Sequence, residues 1–364
     1  MKVYIATLDA AWPGAGAGLH AEADGSCTLV LGGSSITSLA PLKDIPLSRL
    51  DISGTAVTDL GPLAGMHLTS LDLSGTRVRD LTPIAGMNIS VLSLAGTQVT
   101  DLGPLRGMPL TSLDCAHTQV TTIQPLASAS LARLSLAGTR VTDLGPLKRM
   151  PLTVLDASGL QLADLAGLRS FKFTELILDD VPISDLAPLK GMPLTSLRLA
   201  RTKVSDLSAL LRMPLIRLVL DGAPVADLSP LIGASLSELD LSGTRVGHLA
   251  ALAGMPLERL AINRTAIRDL GPLAGMHLKA LAVAGTPLSE LSGMKGLPLT
   301  ELDLAGTRID DLAGLKGLPL EKLVLPHAPP LKNLEVLRAM GTLKEISLSA
   351  DKRTTAAVFW ATVK

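Results

Sequence analysis

Aromatic residues are rare in this chain, with three phenylalanines, two tryptophans and one tyrosine among 364 residues. Four of the six lie near the ends of the chain, at Tyr4, Trp12, Phe359 and Trp360. Proteins that bind unpaired nucleic-acid bases stack them on aromatic side chains, and the long middle of this chain offers almost none. The composition therefore argues against a stacking surface for bases or sugar rings, and the terminal aromatics predict hydrophobic caps at both ends.

No charge of either sign predominates, because 33 basic residues balance 33 acidic residues. A balanced chain has no strong field for attracting nucleic acid or an anionic membrane. The apolar runs fall short of the ~18 residues that a membrane-spanning helix requires, and the apolar part of residues 1–9 is too short for a secretory signal. We expect a cytoplasmic protein without nucleic-acid or membrane partners. The alternative is that a leader and flanking domains are missing from this sequence.

A strict leucine repeat organises the rest of the sequence. Leucine returns every 21 residues without a missing member, at Leu50, Leu71, Leu92, Leu113, Leu134, Leu155, Leu176, Leu197, Leu218, Leu239, Leu260, Leu281, Leu302 and Leu323. Fixed self-similarity at a period between about 20 and 50 residues is typical of stacked repeat architectures. Each unit, such as residues 68–88, opens with the pattern L-x-x-L-x-L of a leucine-rich repeat.

Each unit predicts one short strand, a tight turn and a short 3₁₀ turn. Within the strand, leucines point inward and the intervening Ser and Asp side chains point outward, by the period-two rule. A Gly-Thr pair follows, as at Gly75 and Thr76. Glycine suits a positive φ, and we expect the threonine hydroxyl to bond backbone groups in the turn of the next unit. A recurrent Asp and Pro, such as Asp80 and Pro83, are typical of the start of a helical turn.

These features predict an α/β fold, a leucine-rich-repeat solenoid shaped as a horseshoe or arc, with short 3₁₀ turns and loops on its convex side. The concave side is predicted to be one curved parallel sheet of about 16 strands. We expect a single repeat domain over 1–364, with an N-terminal cap at 1–28, repeats at 29–342 and a C-terminal cap at 343–364. Because the caps should cover both open sheet edges, we expect a monomer.

Residues for metal, covalent or cofactor chemistry are few and dispersed. Cys27 and Cys115 are separated by about four repeats, roughly 20 Å at ~4.8 Å per strand, which is too far for a disulfide. His67 and His277 share a column but lie ten repeats apart, so they cannot hold one zinc ion. The glycines at 14–18 do not follow a core strand or open a helix, as a phosphate-binding loop would. The sequence therefore predicts no metal, no cofactor and no catalytic site.

The consensus unit, L-T-S-L-D-L-S-G-T-x-V-x-D-L-x-P-L-x-G-M-P, resembles the repeats attached to serine/threonine protein kinases and related proteins of planctomycete-type bacteria. Residues 337–340, 343–346 and 357–360 resemble the closing segment of those proteins, and residues 8–25 resemble their opening segment more loosely. The resemblance covers essentially the whole chain and implies a bacterial repeat protein used for interaction. No H-R-D or D-F-G motif occurs in the sequence, so a kinase would have to lie on another part of a larger protein.

The outward strand positions are small and polar along most of the repeat but change midway. There, Ile177, Arg198 and Val219 replace the usual Asp or Ser. They belong to a predicted partner-binding patch that comprises Glu175, Ile177, Asp179, Arg198, Arg201, Arg217 and Val219. Exposed apolar residues beside an arginine are typical of binding surfaces. The alternative is repeat drift with cross-strand charge pairing, because Arg217, Glu238 and Arg259 fall in one column.

We interpret the chain as a non-catalytic module that binds a protein or peptide through its concave face. The alternative is a structural spacer or assembly element of a larger protein, and a stand-alone enzyme is a third class. A partner that is lost when the concave face is mutated would separate the first interpretation from the second.

Overall fold

The computed structural model describes residues 1–326, 330–348, 354–356, 358 and 360. The chain folds as two compact units, Met1–Val181 (unit 1) and Pro182–Lys364 (unit 2). Whether they form the single domain and cap boundaries expected from the sequence stays a prediction.

Unit 1 opens with a helix and a hairpin. Helix α1 (Lys2–Ala11) is absent from the sequence prediction because its apolar periodicity is weak, and Leu8 is its one buried residue. Strands β1 (Leu19–Ala21) and β2 (Cys27–Val30) pair antiparallel. The turn predicted at Asp24-Gly25 joins them, with Gly25 at φ +86°.

In unit 1, each strand from β2 onward is parallel to the next. The further strands are β3 (Leu47–Asp51), β4 (Ser70–Asp72), β5 (Val91–Ser93), β6 (Ser112–Asp114), β7 (Arg133–Ser135), β8 (Val154–Asp156) and β9 (Glu175–Ile177). The short 3₁₀ turns of unit 1 are Ala15–Gly18, Ala40–Leu42, Gly61–Leu63, Thr82–Ile84, Gly103–Leu105, Gln124–Leu126, Gly145–Arg149 and Ala166–Leu168. Leucines 21 residues apart are register partners, as Leu50 and Leu71 show.

Unit 2 repeats this arrangement. Its strands are β10 (Ser196–Arg198), β11 (Arg217–Val219), β12 (Glu238–Asp240), β13 (Arg259–Ala261), β14 (Ala280–Ala282), β15 (Glu301–Asp303), β16 (Lys322–Val324), β17 (Glu345–Ser347) and β18 (Thr354–Thr355). Its 3₁₀ turns are Ala187–Leu189, Ser208–Leu210, Ser229–Leu231, Ala250–Leu252, Gly271–Leu273 and Ala313–Leu315. Strands β10–β17 are parallel, and β18 returns antiparallel to β17. Counting β2–β9 and β10–β17, the described residues contain the roughly 16 parallel repeat strands that the sequence predicts.

The threonine column stabilises each turn in a different way from the prediction. The Thr76 side chain is buried, and its Oγ1 donates a hydrogen bond to the carbonyl oxygen of Leu73 at 2.7 Å. Thr244 does the same with Leu241 at 2.6 Å. The expectation that these hydroxyls bond the turn of the next repeat is therefore wrong. A hydroxyl reaches the carbonyl three residues earlier because the chain folds back on itself within its own turn.

The aspartate column behaves as predicted. Asp80 Oδ1 accepts a hydrogen bond from the amide of Thr82, the first residue of its 3₁₀ turn, at 2.8 Å. Hydrogen bonds from the Thr82 side chain and from its amide hold the pKa of the Asp80 carboxyl below its usual value. The column therefore satisfies backbone donors that a short turn leaves open.

The C-terminal end departs from the prediction in two places. The sequence predicts a helix over 332–340, and the structure has a shorter one, α2, spanning Glu335–Arg338. The sequence also predicts that Leu348 contributes to the core, but it is 49 % exposed, whereas Ile346 is buried. Of the ten residues from Thr354 to Val363, for which the sequence predicts a closing helix, five lie outside the described residues, including Phe359, and Thr354–Thr355 form strand β18. The Arg338 guanidinium lies 5.1 Å from the centre of the Trp360 ring.

Candidate functional site: the sheet face of unit 2

Two rows of side chains cover the sheet face of unit 2, because each three-residue strand presents its first and third residues outward. The first residues form what we name the charged row: Arg217, Glu238, Arg259, Ala280, Glu301, Lys322 and Glu345. The third residues form the central row: Val219, Asp240, Ala261, Ala282, Asp303, Val324 and Ser347. Each row advances one residue per strand, so the parallel register alone places these side chains side by side.

Ion pairs link most of the charged row. Arg217 Nε lies 3.1 Å from Glu238 Oε2, which confirms the first step of the predicted cross-strand ladder. Arg259 instead pairs with Glu301, Nη2 to Oε2 at 3.5 Å, and Lys322 Nζ lies 3.0 Å from the other Glu301 oxygen. The hydrogen bond from Lys322, together with the Arg259 and Lys322 charges, lowers the pKa of the Glu301 carboxyl. Apart from Ala280, the charged row consists of long side chains, most of which form ion pairs with one another.

Alanines interrupt both rows at the same place and leave a depression. Ala261 and Ala282 occupy neighbouring places in the central row, and Ala280 lies beside them in the charged row. The depression has a volume of about 420 Å³ and is lined by both rows together with the leucines between them. Its lining extends from Arg198 to Ser347. At Ala261, Ala280 and Ala282 the lining consists of methyl groups, because no longer side chain fills these positions, and we name this part the alanine floor.

Aspartates bound the alanine floor at both ends. Asp240 precedes Ala261 by one strand, and Asp303 follows Ala282 by one strand. Asp240 Oδ1 accepts the amide hydrogen of Ser242 at 2.9 Å, and Asp303 Oδ1 accepts that of Ala305 at 2.9 Å. Each carboxylate is thereby fixed in orientation by its own turn.

Arginines replace glycine at the turn that borders the central row. Arg201 and Arg264 have φ values of +57° and +54°, a left-handed conformation that glycine adopts at the equivalent Gly222 and Gly243. Such a conformation costs a residue with a Cβ roughly 1–2 kcal/mol. Asp221 lies within 3.6 Å of the Arg201 guanidinium and 3.4 Å of the Arg264 guanidinium. The two guanidinium groups thus share one carboxylate at the edge of the depression.

The predicted patch is divided between the two units. Glu175 and Ile177 begin and end β9 of unit 1 and are partly exposed, while Asp179 follows them and is buried. The remaining four residues, Arg198, Arg201, Arg217 and Val219, all line the depression of unit 2. The prediction that Val219 is exposed is wrong, because it is only 7 % accessible.

Several residues that line the depression lie outside the predicted patch. Ala261, Ala280, Ala282 and Asp303 were not among the predicted site residues. The signal was nevertheless present, since alanine replaces the usual Asp or Ser in two successive repeats. A change from Asp or Ser to alanine departs less from the repeat pattern than a change to arginine.

The sheet face of unit 1 is built differently. Small polar residues alternate along its third strand position, and Asp51, Asp72, Asp114 and Asp156 each accept an amide hydrogen from the residue two positions later. Val91 is exposed to 44 % at the first position of β5. This face therefore has the same aspartate turns as unit 2 and serves as an internal reference for them.

Other chemistry finds little support in the described part of the chain. Within it, no group of three or more His, Cys, Asp or Glu side chains is placed to hold a metal ion. Cys27 and Cys115 are buried free thiols, and burial raises the pKa of the Cys115 thiol. None of the helices within the described ranges is long and apolar enough to cross a membrane.

Comparison with solved structures identifies the architecture. An internalin (inlF) from Listeria monocytogenes aligns over 89 % of this chain and 87 % of its own, with 22 % identity and a TM-score of 0.56. A chain of the mouse RP105/MD-1 complex aligns over 88 % of this chain and 67 % of its own, with 17 % identity and a TM-score of 0.56. A chain of the TLR13-ssRNA13 complex aligns over 82 % of this chain and 49 % of its own, with 19 % identity and a TM-score of 0.52.

The fold is a leucine-rich-repeat solenoid. The similarity to the Listeria protein connects the chain to bacterial leucine-rich-repeat proteins at the level of fold. No protein-family model matches the chain, and no curated protein shows significant sequence similarity to it.

Proposed function

We propose that the protein is a non-catalytic recognition module that binds a protein or peptide on the sheet face of unit 2. The depression carries this proposal, because a methyl-lined floor bounded by fixed charges can both hold an apolar group and orient its polar neighbours. Neither the charged row nor the central row contains an aromatic residue, so the surface offers no stacking platform for bases. A polypeptide ligand fits this surface better than nucleic acid.

The setting of the module extends the proposal. The resemblance of the repeats to kinase-linked planctomycete repeats supports a role as the recognition part of a larger bacterial protein acting in the cytoplasm. The caps predicted at the sheet edges support a monomer, which light scattering of the purified chain would measure directly. A dimer that buries the unit 2 sheet face would contradict both proposals, that the chain is a monomer and that this face is free to bind a partner.

A structural spacer is the second candidate, and the paired charged row favours it. The four basic and acidic residues Arg217, Glu238, Glu301 and Lys322 all take part in ion pairs with each other or with Arg259. Such a row can stabilise the stack without a ligand. Unlike a recognition module, a spacer has no ligand whose binding depends on the depression.

Selection from a random peptide library separates these candidates. A library of 12-residue peptides is selected on the full chain, and each selected peptide is tested against Ala282→Trp, which fills the depression. Ser135→Trp, at the equivalent strand position of unit 1, is the matched control. We expect peptides that bind the parent and the control but not Ala282→Trp. A library that yields no peptide sensitive to Ala282→Trp overturns the proposed function.

A further inference from the structure

We propose that the depression recognises a basic segment of its partner, an extended stretch in which two Lys or Arg side chains are separated by a short apolar interval. This inference rests on the proposed function and specifies the chemistry of the peptide. It follows from which charges of the sheet face are already paired, from what forms the floor, and from the spacing of two carboxylates.

Four of the cations around the depression already have acidic partners. Arg217 pairs with Glu238 at 3.1 Å, and Arg264 pairs with Asp221 at 3.4 Å. Glu301 accepts both Arg259 at 3.5 Å and Lys322 at 3.0 Å. An acidic ligand would therefore have to compete with a carboxylate of the protein for every one of these cations.

Asp240 and Asp303 differ in this respect from Asp221, Glu238 and Glu301, the carboxylates that form these ion pairs. Across the described residues, neither aspartate has a Lys, Arg or His nitrogen within 4.0 Å, and each accepts one backbone amide hydrogen at Oδ1. That bond fixes the carboxylate but does not neutralise its charge. Two oriented carboxylates at the ends of the floor favour a cationic ligand group over an anionic or neutral one.

The floor matches the shape of a basic side chain. Lys and Arg have apolar stems that lie along hydrocarbon surface while the charged end reaches a polar partner. A stem resting on the methyl groups of Ala261 or Ala282 would place its cation one strand away, at Asp240 or Asp303. A bulkier side chain, such as Val219 or Val324 elsewhere in the central row, would exclude the stem.

The spacing of the two aspartates sets the spacing of the basic residues. Asp240 and Asp303 are separated by three strand steps, which is about 14 Å at ~4.8 Å per step. An extended peptide advances ~3.4 Å per residue, so about four residues span this distance. We therefore expect basic residues at positions i and i+4, with apolar residues between them above the alanine floor.

Fluorescence anisotropy with three labelled 11-residue peptides tests the inference on the full chain. The first peptide has two lysines four residues apart with leucine and alanine between them. The second and third have glutamine or glutamate at both lysine positions. The lysine peptide should bind at least tenfold more tightly than the glutamine peptide, and the glutamate peptide should bind more weakly still. Equal affinity for the three peptides overturns the inference.

The paired change Asp240→Asn with Asp303→Asn assigns the preference to these two residues. Asparagine keeps the Oδ1 acceptor of the turn and removes the charge, so the fold should persist. We expect the lysine peptide to lose affinity roughly tenfold or more, with little change for the glutamine peptide. The matched control, Asp72→Asn with Asp114→Asn, alters the same kind of turn in unit 1 and should leave the affinity unchanged. An unchanged affinity in the unit 2 variant contradicts the inference.

The library selection keeps failure of this inference distinct from failure of the proposed function. If peptides sensitive to Ala282→Trp are recovered but contain no excess of basic pairs, the depression is a binding site with another preference and only the inference fails. If no such peptide is recovered, the proposed function fails and the inference fails with it. An excess of basic residues spaced four apart supports both.

Discussion

Arg259 and Glu301 lie on strands β13 and β15, and their side chains meet at 3.5 Å across Ala280 of the intervening strand. The pair can span two strand steps because the methyl group of Ala280 is too short to separate the two long side chains. Glu301 also pairs with Lys322, so one carboxylate joins two cations of the charged row. The short side chain of Ala280 thus permits this ion pair and also lines the depression.

The Glu301→Gln change should lower the free energy of unfolding by less than about 1 kcal/mol at pH 7, because exposed ion pairs are weak. The ion pairs hold the pKa of Glu301 below its ordinary value of 4.5. A depressed carboxyl pKa contributes stability above the unfolded-state pKa, and that contribution is lost as the pH falls through the folded-state value. Urea unfolding should show a small difference from the parent at pH 7 that shrinks below pH ~4. A difference that grows on acidification would contradict this explanation.

The Thr76→Val change removes a buried donor while keeping the volume of the side chain. The Leu73 carbonyl then loses its hydrogen bond from Oγ1, and we expect a cost of roughly 1–3 kcal/mol in unfolding free energy. Thr58→Val, at an exposed position of the preceding repeat, should stay within about 0.5 kcal/mol of the parent. Urea denaturation of both variants measures this, and equal effects would mean that the buried hydroxyl has no special role.

Gly293 and Gly296 form a matched pair for testing backbone constraint. Both have positive φ, +87° and +79°, but a Cβ on Gly293 would lie 2.4 Å from the carbonyl oxygen of Leu270, whereas a Cβ on Gly296 meets nothing within 4 Å. Gly296→Ala should cost about 1–2 kcal/mol from the left-handed backbone alone. Gly293→Ala adds a clash with main chain that cannot move aside, so its melting temperature should fall further. Equal melting temperatures would show that the loop shifts freely.

Phe173 is fully buried and stacks on Phe171 with ring centres 4.8 Å apart. The sequence predicts that these rings compensate for Ala157, which replaces a core leucine and is also fully buried. Phe173→Ala should therefore cost ~3–5 kcal/mol, with hydrogen exchange rising first around residues 155–196. Adding Ala157→Leu should recover part of the loss. If Ala157→Leu stabilises the parent chain by the same amount, the phenylalanine rings do not fill the space left at Ala157.

The regular features of the fold could be predicted from the sequence because they repeat. The leucine columns, the strand register, the glycine turns and the aspartates before the 3₁₀ turns each depend on local chemistry that recurs every 21 residues. The acceptor of the threonine hydrogen bond could not be predicted in this way. A hydroxyl such as that of Thr76 has several acceptors within reach, and turn geometry rather than residue type selects the carbonyl of Leu73.

The candidate site could be predicted only in part from the sequence, because it depends on the shape of the surface more than on residue type. Arg198, Arg201 and Arg217 were found because they break the repeat with large charged groups. Ala261 and Ala282 contribute through their small side chains, and the effect appears only when the neighbouring residues of both rows are placed around them. Val219 shows the opposite case, because it occupies an outward strand position and is nevertheless only 7 % accessible.

Photo-cross-linking tests the central claim, recognition on the sheet face of unit 2, most directly. A photoreactive benzophenone group is placed at the central residue of a peptide selected on the full chain, and the cross-linked residues are located by mass spectrometry. We predict cross-links within residues 238–303 at outward strand positions, and their loss in Ala282→Trp but not in Ser135→Trp. Cross-links concentrated in unit 1 or on the 3₁₀ turns would contradict the account.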